Sequence, residues 1–224
     1  DGVEVGDDAL GKILGIIVIA HHDEIVAADV ADEAGLAVAL LDLVDQNGGG
    51  GLDHLVASLE AIGVVEGFEL IELPGHFFDM VGFKTPGDVI YLADCLFSKE
   101  ILDKYQINFI YDVAAYLKTL ETVKSLTAKI FIPAHAEATE DIIPLAQYNI
   151  DKVMETAEKI TELCQEALCF EAILQKLFTH YHLTMNFEQY VLVGSTVRSY
   201  LSWLKDTGRL TARFENNMLL WQRV

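Results

Sequence analysis

Apolar residues along the chain fall into short runs divided by turn-forming residues, and the period of those runs changes from place to place. Leu10 to Ala20 carries the β-branched run IIVI, suited to a buried strand, and Asp29 to Val44 mixes Ala, Leu and acids like a helix followed by a strand. Asn47 to Gly51 is a loop, and Leu55 to Ile62 has helical spacing. Phe68 to Leu73 (FELIEL) alternates with the period of two of a half-buried strand and stops at Pro74-Gly75. Val89 to Ala93 (VIYLA) is a further strand, introduced by the turn Thr85-Pro86-Gly87-Asp88. Ile110 to Leu126 is a long amphipathic helix, Lys129 to Ile132 a strand, and residues 140 to 180 hold two helices with Leu and Ile at helical spacing. Strands and helices alternate in mixed order, so the class is α/β or α+β with covered sheets.

The C-terminal part has its own rhythm. Phe187 to Val193 and Ser195 to Leu204 have helical spacing on either side of Gly194, and Gly208 ends the second helix. ARFENNMLLWQRV then reads as a hairpin with Asn216-Asn217 at its tip. Helix, turn, helix and hairpin together are similar to a winged-helix module. Arg198, Lys205, Arg209, Arg213 and Arg223 against Glu188, Asp206 and Glu215 make the module mildly positive, and a helix N-terminus near Ser195 and Arg198 could meet phosphate. Packing or homodimer formation, with Trp203 and Trp221 inside, is the better use of this region. His180 and His182 flank Tyr181 and read as surface residues, or as residues behind a site rather than in it.

Composition narrows the partners. With 224 residues, 52% of them apolar, the chain can bury a proper core. A net charge of -20 repels phosphate backbones and anionic lipid, so nucleic acid and membrane are poor default partners and a small-molecule substrate is favoured. Cys95, Cys164 and Cys169 are an odd number without CxxC spacing, and nothing resembles a secretory leader or a long apolar span; both point to the cytoplasm.

Three strand ends finish alike: an apolar run, a tight turn, then one His or Asp. They are LPGH ending at His76, YLADCLF with Asp94, and FIPAH with His135. Each alone has a plain structural alternative. A His after Pro-Gly can be a solvated loop residue, an Asp after a strand can cap a helix, and His135 can be a cap or a core residue. Jointly they are the donors that a hydrolytic Zn, Mn or Fe site uses. The stretch IVIAHHDE adds His21, His22, Asp23 and Glu24 after an earlier strand. Cys95, beside Asp94, reads as a small buried residue, and no GxSxG elbow or Ser-His-Asp order supports covalent catalysis.

ELPGHFFDMVGFKTPGDVIYLADCLF, IFIPAHAEAT and IVIAHHDE together resemble the metallo-β-lactamase superfamily, in which an HxHxDH motif is followed by a PGH turn, a strand ending at a bridging Asp, and a second PGH-like turn. The resemblance covers about residues 10 to 150. HHDE departs from HxHxDH: it lacks the intervening residue and has Glu24 where a His is usual. Leu52-Asp53-His54 offers the DH pair as an alternative, but it lies only 22 residues before His76.

The resemblance implies an αββα four-layer sandwich over residues 1–140, with residues 141–224 as a helical and winged-helix-like extension. It also implies one or two Zn2+ ions, or Mn or Fe, in a dinuclear site. His21, His22 and His135 would hold one ion, Asp23 with His76 the second, and Asp94 would bridge them. Asp23 would act as the catalytic carboxylate, orienting a metal-bound hydroxide or passing a proton. Superfamily members cleave thioesters, lactams, lactones and phosphodiesters, and some are oxidoreductases, so the fold does not select the substrate. The resemblance implies a metal-dependent hydrolase, and within it the acidic charge and the lack of a basic stripe favour a small ester, thioester or lactone over RNA. The alternatives are a metal-free binding or regulatory protein working through the winged helix, and an RNA-cleaving nuclease. Phe77, Phe78 and Met80, following His76, are candidates for lining an apolar pocket.

Residues 1 to 67 contain no Pro, Phe, Tyr, Trp, Cys, Met, Thr or Arg, although these types fill roughly a quarter of an ordinary globular chain. They hold 14 acids and a single base, Lys12, yet their apolar runs are too hydrophobic for a disordered acidic tail. Letters that follow side-chain shape rather than a translated gene would have this texture. Peptide mass mapping is therefore expected to give fragments of residues 1–67 whose masses depart from the written ones; a full match would refute the reading.

Overall fold

The alternation of FELIEL becomes strand β1, Glu69–Glu72, in the computed structural model, which describes residues 68–224. Elements expected between Leu10 and Ile62 lie outside the described residues, as do IVIAHHDE and Leu52-Asp53-His54. β1 joins β2 (Val81–Lys84), β3 (Val89–Tyr91) and β4 (Ile130–Ile132) in a sheet of order β1-β2-β3-β4. β1 with β2 and β2 with β3 are antiparallel, whereas β3 and β4 are parallel. Strands β1, β3 and β4 therefore run in one direction, and their C-terminal ends leave the sheet along one edge.

Between β2 and β3 the Thr85 to Asp88 turn closes as its Pro-Gly sequence suggests. The Thr85 N–H donates to the Val89 carbonyl at 2.8 Å, and Asp88 takes a left-handed φ of 65°. Strand β2 was not among the expected elements, and Gly82 lies within it. Its role is a close approach: a Cβ there would stand 2.4 Å from the Tyr91 carbonyl oxygen and 2.7 Å from Leu73 Cδ1. β3 ends at Tyr91, two residues short of the expected Ala93, because Ala93 turns left-handed at φ 46° and starts a 3-10 turn, Ala93–Cys95.

Five α-helices follow. α1 (Lys99–Tyr105) was not foreseen; Ser98 caps it by accepting from the Ile101 N–H. α2 (Val113–Ser125) starts three residues later than Ile110, since Asp112 accepts from the Ala115 N–H and fixes the cap. Ile110 is fully buried ahead of the helix, so its apolar side chain extends the pattern without extending the element. α3 (Ile143–Leu163) and α4 (Phe170–His180) are the two helices read from residues 140 to 180.

α5 (Phe187–Asp206) corrects the helix-turn-helix expected around Gly194: it is one continuous helix. A Cβ at Gly194 would meet nothing closer than 3.5 Å, so the glycine neither demands a turn nor supplies one, and Ser195 lies inside the helix with no N-terminus beside it. β5 (Leu168–Cys169), β6 (Leu210–Glu215) and β7 (Met218–Arg223) form a second sheet of order β5-β7-β6. Asn216 and Asn217, at φ 50° and 62°, make the hairpin tip, the geometry of a type I′ turn.

The buried apolar cluster runs unbroken from Ile71 through Tyr116 and Ile160 to Leu210, with Trp203 and Trp221 half-buried against it. It joins the first sheet's covering helices to α4 and α5. Side chains on α5 also satisfy backbone donors ahead of and at the start of α2. The Thr196 hydroxyl accepts from the Ile110 N–H at 3.0 Å and the Ser199 hydroxyl from the Val113 N–H at 3.2 Å. Unpaired N–H groups at a helix start need such partners when buried. Among the described residues no helix is long and apolar enough to cross a membrane.

The Pro74-Gly75 turn rests directly on α2. Gly75 sits at φ +129°, and a Cβ there would be 2.2 Å from the Tyr116 nitrogen and 2.3 Å from its Cα. Gly208, at φ +74°, has nothing within 4 Å of such a Cβ. Gly75→Ala is expected to cost at least ~3 kcal/mol through backbone strain and overpacking, while Gly208→Ala costs about 1 kcal/mol. Urea denaturation of the two variants checks the difference; equal losses would show that the α2 contact is not rigid.

Candidate metal centre

Three separate loops bring His76, Asp94 and His135 to the same sheet edge. Each leaves the C-terminal end of one of the co-directional strands: the Pro74-Gly75 turn after β1, the 3-10 turn after β3, and the Pro133 turn after β4. Backbone pairing continues past the parallel strands, with the Leu92 N–H donating to the Ile132 carbonyl at 3.0 Å and the Ala134 N–H to Ala93 at 3.0 Å. Further on, the Ser98 N–H donates to the His135 carbonyl at 2.8 Å. Asp94 and His135 thus stay in register although they are far apart in sequence. Left-handed backbone at a non-glycine residue costs about 1–2 kcal/mol, and the Ala134 bond helps hold Ala93 there, turning Asp94 inward.

His76 Nε2 lies 3.9 Å from Asp94 Oδ2, and His135 Nε2 lies 3.3 Å from Asp94 Oδ1. Each imidazole faces its own carboxylate oxygen. His76 Nδ1 lies 2.9 Å from the Phe109 carbonyl, which can only accept, so Nδ1 carries the proton and Nε2 presents its lone pair toward Asp94. Its side chain is only 17% exposed. Burial lowers the His76 pKa from the ordinary 6.5, outweighing Asp94 and the Phe109 bond, which raise it; nearby His135 lowers it further. The ring therefore stays neutral, with a free lone pair, to lower pH than an exposed histidine. Among the described residues no three His, Cys, Asp or Glu side chains surround a single point as a complete ligand group.

Phe97 separates and aligns the two histidines. Its ring stacks on His135 at 5.2 Å between centroids with 7° between planes, and lies tilted 5.6 Å from His76. Phe109 meets His76 edge-on at 5.4 Å. Behind Phe97, Asn149 of α3 is 1% exposed and acts as a stand-in strand. Its Oδ1 accepts from the Phe97 N–H at 3.1 Å, and its Nδ2 donates to the Phe97 carbonyl at 3.0 Å. The Tyr116 hydroxyl also donates to Oδ1, at 3.4 Å. Neither Phe97 nor Asn149 stood out in the sequence, because nothing about their neighbours marks them; a buried Asn on an otherwise amphipathic helix was the one available signal.

Cys95 is fully buried, and burial together with the Asp94 charge pushes its thiol far up, so it is a packing residue as expected. His180 and His182 are exposed at the surface. Phe77 and Phe78 do not line the cavity at the histidines. They are 46% and 53% exposed and pack on each other at 4.3 Å and against Tyr111, because the turn held to α2 directs them outward. Met80 is half-buried against the main core. His21, His22 and Asp23 lie outside the described residues.

A cavity of about 560 Å³ opens beside His76 and His135. Phe97 and Phe109 form its inner wall, Ile101 and Tyr105 of α1 one side, and Leu192 and Val193 of α5 the other. Another cavity, about 340 Å³, is lined by Leu174 and Phe178 of α4 and Tyr190 of α5 and contains no histidine or cysteine.

No family sequence model matches the chain, and no curated protein matches it. Solved structures do. A metallo-beta-lactamase family protein from Thermus thermophilus superposes with a TM-score of 0.56 at 14% identity, covering 70% of this chain and 49% of that one. A beta-lactamase domain protein from Burkholderia ambifaria gives a TM-score of 0.57 at 12% identity, covering 70% and 48%. The described mixed α/β structure shares the fold of these proteins, and the chain spans about half their length.

Removing Asn149 orphans two backbone groups of buried Phe97. Asn149→Ala is expected to lower stability by about 2–4 kcal/mol, the summed cost of unpaired buried polar groups, with the loss read from urea denaturation. A loss below about 0.5 kcal/mol, the usual range for an uninvolved surface change, would show that the Phe97 segment is held by other means.

Proposed function

We propose that the protein is a metal-dependent hydrolase of the metallo-β-lactamase type, acting on a small ester, thioester or lactone. The carrying observation is the spacing of the two imidazole nitrogens from Asp94. Two ligand atoms bound to one tetrahedral ion stand about 3.3–3.6 Å apart, whereas a charge-assisted hydrogen bond closes to about 2.7–2.9 Å. The His135–Asp94 spacing of 3.3 Å falls in the first range, and the His76–Asp94 spacing of 3.9 Å lies beyond both.

In this reading His76, Asp94 and His135, together with His21, His22 and Asp23, would hold the ions. When bound, the ions, Zn2+ or else Mn or Fe, supply Lewis acidity and an activated water. The chain's own residues do the rest. Phe109 fixes the His76 tautomer, Phe97 sets the angle between the two rings, and Asn149 holds Phe97. Asp23 is the catalytic carboxylate, passing a proton to the leaving group. Overall the acyl–oxygen or acyl–sulfur bond breaks, and water gives its hydroxyl to the acyl carbon and a proton to the leaving heteroatom.

The four-layer αββα sandwich over residues 1–140 belongs to the same proposal, as does a winged-helix-like region within 141–224. The order α3, β5, α4, α5, β6, β7 with the three-stranded sheet β5-β7-β6 supports the latter. Its basic residues give little support to nucleic-acid binding. Arg198 lies 3.7 Å over the Phe170 ring and donates to the Gly194 carbonyl, and Arg209 pairs with Glu158 at 2.7 Å.

Protein purified without chelator is expected to contain at least one equivalent of Zn, Mn or Fe and to turn over a thioester or lactone. Turnover falls at least ~100-fold in His76→Ala, more than changes behind the ligands typically cost. Metal analysis and a substrate screen including phosphodiesters check this. Metal-free protein favours the binding or regulatory alternative, salt-sensitive cleavage of RNA favours the nuclease, and retained turnover in His76→Ala removes the catalytic assignment.

A further inference from the structure

We infer that the cavity beside His76 and His135 holds an apolar acyl group, and that α5 of the C-terminal region supplies the wall that selects it. This rests on the hydrolase reading for its chemistry, but not for its geometry. The cavity, about 560 Å³, is of ligand-pocket size. It begins at the imidazoles and runs between α1 and α5, so a carbonyl placed at the histidines leaves its acyl substituent among Ile101, Ile107, Leu192 and Val193, with Asn108 and Gln189 the neutral polar residues of the same lining. The four apolar side chains make no hydrogen bonds; what they reward is removal of apolar surface from water. Glu100 and Lys104 stand at the rim, both exposed and of opposite charge, so the rim selects no net charge.

The wall contributed by α5 is fixed in place. Val193 is 4% exposed and belongs to the main core, while Leu192, next to it, is 49% exposed and faces the opening. One turn further on, Thr196 anchors the helix to the Ile110 N–H, directly after the segment carrying Ile107 and Phe109. The α5 wall is thereby held at a set distance from the inner wall that carries Phe109 by a buried hydrogen bond. The length of the acyl group then has a definite limit, and Leu192 is a specificity-determining residue for it.

Binding of straight-chain primary amides, butanamide to octanamide, measured by calorimetry on the full chain, tests the cavity without asking for turnover. Affinity should rise about three- to fourfold per added methylene, corresponding to ~0.8 kcal/mol each, until the cavity is filled. Leu192→Trp and Ile101→Trp, which enter the cavity from opposite walls, should each remove that increment. In parallel, kcat/KM for p-nitrophenyl esters from acetate to octanoate should rise with chain length and lose the trend in the same variants. Length-independent amide affinity, or an increment that survives both variants, overturns the inference. Ester turnover with no length preference also overturns it and leaves the hydrolase reading standing. Length-dependent amide binding without ester turnover supports the cavity and removes the hydrolase reading instead.

Discussion

The contact between Gly75 and the first turn of α2 is the constraint on which the site depends. At that point two stretches of backbone meet with no room for a side chain, and the Gly75 carbonyl accepts from both the Tyr111 and Asp112 N–H groups. The turn can therefore neither rotate nor withdraw, and His76, the next residue, inherits a fixed origin. Asp112 in turn caps α2, and α5 supplies the Ser199 hydroxyl to the first residue of α2 and the Thr196 hydroxyl to Ile110 ahead of it. A conformational requirement at one glycine thus reaches both the imidazole and the C-terminal helix that walls the cavity. Side-chain interactions alone would be weaker: an exposed ion pair such as Lys84 with Asp88 contributes about 0–1 kcal/mol, too little to hold a loop against its entropy.

Parallel pairing of β3 with β4 does for Asp94 and His135 what the glycine contact does for His76. Parallel strands carry their C-terminal loops to the same edge, and the open edge of an α/β sheet is where such folds assemble sites. Here the ladder extends beyond both strands through Ala93, Ala134 and Ser98, and Asn149 completes it by pairing with Phe97 from a helix. The outcome is two imidazoles whose separation is set by backbone and by one aromatic ring. Burial then keeps His76 neutral, which is the form that can offer a lone pair.

Strand-end motifs were legible because they combine two local signals, period-two alternation and a turn residue, and both are set within a few residues. FELIEL, VIYLA and KIFI became strands, and LPGH, YLAD and FIPAH deliver their polar residues to one place. Two glycines sit inside regular elements, and only Gly194 reads as a break. Gly82 sits inside a strand because a neighbouring carbonyl needs the space. Gly194 sits inside a helix because the rest of a 20-residue element outweighs the ~1 kcal/mol a helical glycine costs. Composition separates neither case from a true break. Phe97, Phe109 and Asn149 were illegible for another reason: they act across 33 to 52 residues of sequence, and no local pattern encodes a partner that distant.

The relation between the acidic surface and the apolar cavity bears on what the site can accept. A chain of net charge -20 raises the cost of bringing any anion close. A polyanion must overcome that field along its whole length, and Arg198 and Arg209, which could compensate, are engaged within the fold. A neutral acyl compound would meet no such barrier, and on the inference above it would gain from every methylene placed between α1 and α5. In the proposed reading, charge would disfavour one class of substrate while burial would reward the other, and the two effects would act on the same opening. The C-terminal region is then better understood through the α5 face it presents to the cavity than through the hairpin it presents to solvent.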